Sequence, residues 1–450
     1  MGDFKNFVEN VNKKMGFSLP DSWTGLTDVQ LAQLFLGKIN EYFFQTYNGI
    51  GVTTFDGEEL KYFSEFHKFW ETNHKEIINV KISTEQAQLV AQALSNAIRK
   101  YGEKILGVTH QTSGLQPKAI AQVRFFTANQ DFREPPENQF GKYFDDPTRF
   151  DAQEIADNPE DFLKFLGTTR LSQTDKRLDF ARNAANFLLE KNITAFDIAK
   201  YLNNDAAQIR EALVNTANMG YGFKKANMFI RDMVELGVWP NLTNFDKIDV
   251  ASDINTMKLA LRAQILQTDI PLLSSFLDIF CYQYGHIDEM SAKAWRKVWE
   301  EWKNFDPSTV PLSPCQMDFL LYRIGREYCK ELIVQYECLN RHVFYHFGAQ
   351  LKNCPICNRK KDKISANPKK RLLPCQLESS ELPRENNKLL LREDNLLRIF
   401  DGKCILESVC NPKAKDFCAL NPPKSISIKG QTSWTSSYAD REKGGGGMMG

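Results

Sequence analysis

No stretch of this 450-residue chain stays apolar for the roughly 20 residues that a membrane-crossing helix needs, so a helical membrane span is not expected. The opening residues Met1-Gly2-Asp3-Phe4-Lys5 also lack a basic segment leading into an apolar one, the mark of a secretory signal. Asn6 stands where a myristoylation motif carries Ser or Thr. An intracellular chain, nuclear or cytoplasmic, is therefore expected. Charge of one sign is missing too: 57 Lys and Arg stand against 56 Asp and Glu, a formal net charge of +1. Contact with nucleic acid would have to come from a local basic footprint, because the average is neutral. Segments alternating with period two are few, and no internal repeat is evident.

What is present is ordinary folded material. Hydrophobic residues make up 42% and charged residues 25%, and the length allows two or three domains around a large core. Residues 1–128 read as an N-terminal helical region. Apolar residues recur at helical spacing over Leu26 to Phe43 and again over Thr84 to Leu106, with turns at Asn48-Gly49-Ile50-Gly51 and Asp56-Gly57. From Ala128 to Phe150 the chain is rich in Asp, Asn, Pro and aromatic residues, which suggests a long loop. Helical patterning then resumes over Asp161 to Phe165, Thr174 to Leu189, Ala195 to Leu202, Ala206 to Ala217, Lys224 to Leu236 and Ile254 to Leu266. Most of these begin near Asp, Asn or Thr, which are good helix caps. Residues 150–330 are thus expected to form an all-helical core. Residues 331–450 are Cys-rich and basic with little periodicity, and a metal or a partner surface would be needed to stabilise them.

The richest stretch is Met219-Gly220-Tyr221-Gly222-Phe223-Lys224-Lys225-Ala226, lying between two helical patterns. Two glycines one residue apart permit a tight turn and let backbone amides approach a phosphate without a Cβ in the way. The partial positive charge of the following helix N-terminus adds to that attraction. Gly220, Gly222 and Lys225 are the candidate nucleic-acid contacts. Such a grip holds a DNA backbone and reads no sequence. Taken alone, the same turn is a plain helix connector, with Lys224 a phosphate contact.

Gly220 to Ala226 resembles the G-V-G-x-K-x-A hairpin of the helix-hairpin-helix base-excision DNA glycosylases, the superfamily of endonuclease III and 8-oxoguanine glycosylase. The resemblance implies a mainly α, helix-hairpin-helix core. It also implies that Lys224 occupies the place of the Schiff-base lysine of the bifunctional members. Val250-Ala251-Ser252-Asp253-Ile254-Asn255-Thr256-Met257-Lys258 is similar to the family's I-P-x-D-x-H-x-x-R, with Asp253 in the aspartate position. Here Ala251 replaces the proline, Asn255 the histidine and Lys258 the arginine. Asp249 and Asp246 are competing carboxylates, and Asp253 also suits a helix N-cap. Leu171-Ser172-Gln173-Thr174-Asp175 is similar to an early segment that leads toward the base pocket. Asp318 to Cys329 resembles the helix ending in G-R-x-x-C before the iron–sulfur loop of endonuclease III.

The chemistry fits these residue types. Breaking an N-glycosidic bond builds positive charge on the sugar, which a carboxylate beside C1′ stabilises. An amine with a lowered pKa attacks C1′ and forms an imine, and burial would supply that lowering. The expected activity is therefore that of a monomeric DNA glycosylase, with or without abasic-site lyase activity, acting on a base extruded from the stack. Two alternatives stand beside it: a non-catalytic nucleic-acid-binding module that kept the hairpin, and an N-glycosidase acting on a modified nucleotide.

Ten cysteines complete the inventory, one at Cys281 and nine between Cys315 and Cys418. In a reducing compartment such clustering suggests a metal before it suggests disulfides. Cys354-Pro355-Ile356-Cys357 is a C-x-x-C knuckle, and Cys404 and Cys410 are separated by five residues. The resemblance to endonuclease III would make Cys329 the first ligand, giving Cys329, Cys354, Cys357, Cys404 and Cys410 as candidates. Spacing leaves zinc and an iron–sulfur cluster equally open. Arg359-Lys360-Lys361-Asp362-Lys363 and Lys369-Lys370-Arg371 form a basic stretch suited to phosphates or to a nuclear localisation signal.

Overall fold

The computed structural model describes residues 2–16, 75–107, 114–130, 146–168, 174–269 and 285–329, with shorter pieces elsewhere. Those pieces include 52–60 without 55, 141–144, 273–275, 404–410 and four strands between 333 and 390. The segments Leu26 to Phe43, apart from Tyr42, and Leu171 to Gln173, with Cys354, Cys357 and the basic run at 359–363, lie outside the described residues. The architecture is mainly helical with a few short strands. None of the helices searched is long and apolar enough to cross a membrane. The chain divides into two compact units that do not follow sequence order. One comprises residues 1–97, 254–301 and 321–450, the other residues 98–253 and 302–320.

The second unit holds the candidate hairpin. Its helices are α1 (Pro117–Ala128), α2 (Ala152–Asp157), α3 (Pro159–Leu166), α4 (Thr174–Glu190), α5 (Ala206–Asn215) and α6 (Phe223–Glu235). Apolar spacing explains which faces turn inward. In α6, Ala226, Phe229, Ile230 and Met233 repeat at i, i+3, i+4 and i+7, and all four are buried. In α5 the buried Ala206, Ile209 and Leu213 stand at i, i+3 and i+7, and the Asp205 carboxylate caps the helix by accepting from the amides of Ala207 and Gln208 at 2.9 and 3.2 Å. Helix α1 packs on α6, while α2 and α3 pack on α4. Phe125 of α1 is the hub: the rings of Phe126, Phe187, Tyr221 and Phe229 surround it at centroid distances of 5.2 to 6.3 Å. Each such pair adds about 0.5–1.5 kcal/mol beyond the area it buries.

Within this apolar core runs a line of buried charge. Arg124 of α1 is ion-paired with Asp232 of α6 at 2.6 Å, and Asp232 also accepts from the neighbouring Arg231 at 2.7 Å. Arg231 in turn pairs with Asp318, the first residue of helix Asp318–Tyr328. None of the four is more than 7% exposed. They alternate in sign, so each charge has an opposite neighbour, which is the condition under which buried ions are tolerated.

In the first unit, helix α7 (Ile254–Arg262) and residues 285–301 of α8 (Gly285–Phe305) carry buried faces that include Met257, Leu259, Trp295 and Val298. The Trp295 indole donates to the Thr256 carbonyl at 3.1 Å. Gly325 admits the close approach of another backbone: a Cβ there would lie 2.3 Å from the Asn255 carbonyl oxygen. That contact gives the glycine of the G-R-x-x-C segment a packing reason. Antiparallel strands pair Val80–Ile82 with Leu266–Thr268, and Val52–Thr53 with Glu59–Leu60 across the Asp56-Gly57 turn. Four more strands form a sheet in the order Asn367–Leu372, Ile333–Glu337, Val343–Phe347, Leu389–Leu390, the last pair parallel.

Three sequence expectations need adjusting. The helix expected over Ile254 to Leu266 ends at Arg262; Gln264 takes a positive φ of 60°, and Leu266–Thr268 becomes a strand. Ala195 to Leu202 begins as a 3-10 turn at Ala195–Asp197 before becoming helical over Ile198–Tyr201. The stretch 128–150, expected as a loop, contains helix Gly141–Phe144 and a 3-10 turn at Pro147–Phe150. Its aromatic residues are the cause, since Tyr143, Phe144 and Phe150 are buried and the Tyr143 hydroxyl donates to the Leu166 carbonyl at 2.8 Å.

Removing one member of the buried charge line should be costly. Asp232→Asn is expected to lower the free energy of unfolding by about 3–5 kcal/mol, because Arg124 and Arg231 would be left short of a counter-charge in the core. Urea unfolding measures it, and a loss below about 1 kcal/mol would contradict the assigned pairing.

Candidate active site

The turn between α5 and α6 is built by residues 216–222. Gly220 has φ +77°, and a Cβ there would meet the Phe180 ring at 2.7 Å and the Asn129 carbonyl oxygen at 3.1 Å. Only glycine meets both the conformation and the space. Gly222 differs: it is extended at φ −95°, exposed, and precedes the first turn of α6. The turn is anchored from beneath. The Tyr221 hydroxyl donates to the Phe125 carbonyl at 2.6 Å, and the Asn129 amide donates to the Met219 carbonyl at 3.3 Å. Asn183 of α4 donates to the Asn218 carbonyl at 3.1 Å. Burial pushes the Tyr221 hydroxyl well above its ordinary pKa, so this donor stays protonated.

Lys225 is half-buried, and its ammonium donates to the Asn129 carbonyl at 2.6 Å while lying over the Phe180 ring at 5.7 Å. It therefore helps to hold the turn on α1 and α4. Along the turn runs a depression of about 460 Å³, lined in part by Phe180, Thr216, Asn218, Gly220, Gly222 and Lys225. The first amides of α6 have no partner within the helix, as at every helix start, so this edge presents donors and a partial positive charge.

Lys224 lies on the first turn of α6 and is exposed, so the burial expected from the chemistry is not what surrounds it. Phe223 beside it is 62% exposed, with the Arg210 guanidinium 5.8 Å from its ring. Asp253 immediately precedes α7 and is half-buried; Asp249 is also half-buried, whereas Asp246 is exposed in the 3-10 turn Phe245–Lys247. The segment before Asp253 is tied to the one before Asp318. The Ile248 carbonyl accepts from the Ser313 hydroxyl at 2.9 Å and from the Cys315 amide at 3.2 Å.

Asp318 brings the pieces together electrostatically. Burial pushes its carboxyl up to about 7; Arg231 and Lys224 draw it down, and Asp253 and Asp232 push it further up. Both residues named from sequence thus act on one buried carboxyl. Arg231 stays charged: burial opposes its charge, but Asp232 and Asp318 outweigh that and raise its pKa. Burial likewise raises the Cys315 thiol well above its ordinary value. Among the described residues, two buried polar atoms nearby in sequence have no hydrogen-bond partner: Asn227 Oδ1, one helical turn beyond Lys224, and Ser252 Oγ, next to Asp253.

Asp318 and the Arg231–Asp232 pair were not singled out as site residues from sequence. One signal was available: Phe229-Ile230-Arg231-Asp232-Met233-Val234 places two charges inside an apolar helical pattern, which asks for buried partners. Of the five candidate metal ligands, Cys329 and Cys404 are buried and Cys410 is half-buried. Among the described residues no three His, Cys, Asp or Glu side chains gather as a metal site, so these three do not form one by themselves. The sequence matches no model of a known protein family, and no curated protein matches it either.

The raised Asp318 carboxyl makes stability depend on pH with a definite sign. The folded chain keeps a proton there that the unfolded chain releases from 3.8 upward, so stability is expected to fall as pH rises from 3.8 to about 7. Urea midpoints at intervals across that window should fall in the wild type and fall less in Asp318→Asn; equal slopes would contradict the assignment.

Proposed function

We propose that the chain is a DNA glycosylase that grips the phosphate backbone with the Gly220–Gly222 turn and excises an extruded base with Lys224 and Asp253. The observation that carries this reading is the turn itself: Gly220, held at φ +77° where a Cβ would meet the Phe180 ring, leads into the start of α6, where Lys224 is exposed. The resemblance of the turn and of the segment around Asp253 to helix-hairpin-helix glycosylases supplies the chemical sense. The unpartnered Asn227 Oδ1 and Ser252 Oγ add polar groups suited to a nucleotide, since buried polar atoms seldom stay unmatched.

In the proposed reaction the neutral Lys224 amine attacks C1′ of the deoxyribose. A nitrogen–carbon bond forms as the glycosidic bond breaks, and the bonding pair leaves with the base, which takes up a proton. The Asp253 carboxylate stabilises the positive charge that builds on the sugar as this happens. Loss of the ammonium proton from Lys224 precedes attack. Opening of the C1′–O4′ bond then gives an iminium, with O4′ taking a proton. Exposure of Lys224 leaves it accessible to an incoming sugar.

Borohydride, which reduces the iminium to a stable secondary amine, tests this directly. Incubated with duplexes that each carry one damaged base, the full chain is expected to form a covalent adduct with at least one of them. Lys224→Gln should abolish the adduct, and Asp253→Asn should slow its formation by about 10²–10³-fold, the usual cost of losing a charge-stabilising group. Base release without an adduct would assign a monofunctional enzyme. Salt-dependent binding with neither outcome, or activity on free nucleotides alone, would overturn the proposal.

A further inference from the structure

We propose that Phe223, backed by Arg210, is a stacking platform for an unpaired base of the DNA strand that the Gly220–Gly222 turn grips. The inference rests on the reading above for its strand, and deepens it by naming the substrate class: DNA with a base already out of the stack. Phe223 is the first residue of α6, three and seven positions before the buried Ala226 and Ile230, so it continues the apolar stripe of that helix past the core. Its ring is 62% exposed, whereas Tyr221, two residues earlier, is 5% exposed. A lone exposed ring needs no partner. What surrounds this one is what points to a base.

Arg210 of α5 brings its guanidinium to 5.8 Å from the ring centroid, within the range of a cation–π contact. It is held there by its Nη1, which donates to the Lys247 carbonyl at 3.1 Å. Most of the ring stays open with the guanidinium against it. Beside it the backbone is bare: apart from its chain neighbours, a Cβ at Gly222 would meet nothing within 4 Å. That glycine also lines the depression along the turn, so the place offered to phosphates ends one residue short of the ring. Three cations, Arg210, Lys224 and Lys247, stand with the ring against two neighbouring acids, Glu211 and Asp246. An accessible ring among cations, next to the amides at a helix start, is the combination by which proteins hold single strands. In a duplex each base face is covered by its neighbours, so a base reaches the ring only once it has left the stack.

The test measures binding of the full chain to two fluorescein-labelled strands of equal length: oligothymidylate, and the same backbone with an abasic tetrahydrofuran residue at every position. Both carry the same phosphates, so they differ in the bases alone. Phe223→Ala is expected to weaken binding to oligothymidylate by about 5- to 150-fold, the contribution of one base on an aromatic ring, and to leave the abasic strand unaffected. The slope of log affinity against log salt should stay as in the wild type, because no charge is removed; losing one phosphate contact would flatten it by about 0.7. Phe223→Leu keeps an apolar side chain without a π face and should lose nearly as much as Phe223→Ala. A leucine variant as tight as the wild type, an equal loss on both strands, no loss at all, or a wild type that binds neither strand would overturn the stacking role.

A second measurement keeps the aromatic ring in place. A base stacked on an indole quenches its emission, so oligothymidylate should quench the fluorescence that Phe223→Trp adds to that of the wild type, and the abasic strand should not. Emission that neither strand changes, or that both quench alike, overturns the proposal. Borohydride trapping separates this from the reaction. A chain that traps a lesion but binds oligothymidylate equally well as wild type and as Phe223→Ala loses the stacking role and keeps the glycosylase reading. A chain that shows the stack and traps no lesion keeps the platform and loses the reaction.

Discussion

An arginine or aspartate removed from water costs several kcal/mol even after the surrounding protein relaxes, and here four such side chains lie in line. Arg124, Asp232, Arg231 and Asp318 lower that cost for one another by alternating in sign, with contacts of 2.6 Å between Arg124 and Asp232 and 2.7 Å between Arg231 and Asp232. Geometry is what makes the arrangement tolerable, because a displaced member leaves its neighbours uncompensated. The line therefore fixes α6 against α1 more sharply than apolar packing alone. A greasy contact survives small slippage, whereas a buried ion pair does not. The turn at Gly220, held on α1 by Tyr221, Asn129 and Lys225, inherits that precision.

Buried ion pairs are weak evidence for stability, since a well-packed apolar set of similar volume is often as stable or more so. Their persistence in a core that already contains Phe125, Phe229 and Met233 asks for another role. Electrostatic reach supplies one. The line ends at a carboxyl whose ionisation lies near neutrality and on which both the amine at 224 and the carboxylate at 253 act.

Much of this was legible from sequence because it depends on local pattern. The apolar repeat in Ala226, Phe229, Ile230 and Met233 marks α6, and the paired glycines mark the turn before it. Asp205 announces the start of α5 as a cap. The rest depends on partners far apart in the chain. Nothing local to Asp318 says that it meets Arg231, 87 positions earlier, nor that Lys225 is occupied by the Asn129 carbonyl while Lys224 is left exposed. Tyr143, Phe144 and Phe150 looked like loop aromatics because their partners, Leu166 among them, come later in the chain. The strand at Leu266–Thr268 was hidden for the same reason: its pairing with Val80–Ile82 is non-local.

Lys224 and Asp253 act on the Asp318 carboxyl in opposite senses. Carboxyl ¹³C titration of Asp318 in the wild type, Lys224→Gln and Asp253→Asn measures that convergence without reference to any substrate. Loss of the positive charge at 224 should move the Asp318 titration to higher pH, and loss of the negative charge at 253 should move it to lower pH. Shifts of opposite sign are expected; an Asp318 titration that neither substitution moves would contradict the electrostatic coupling of the three residues.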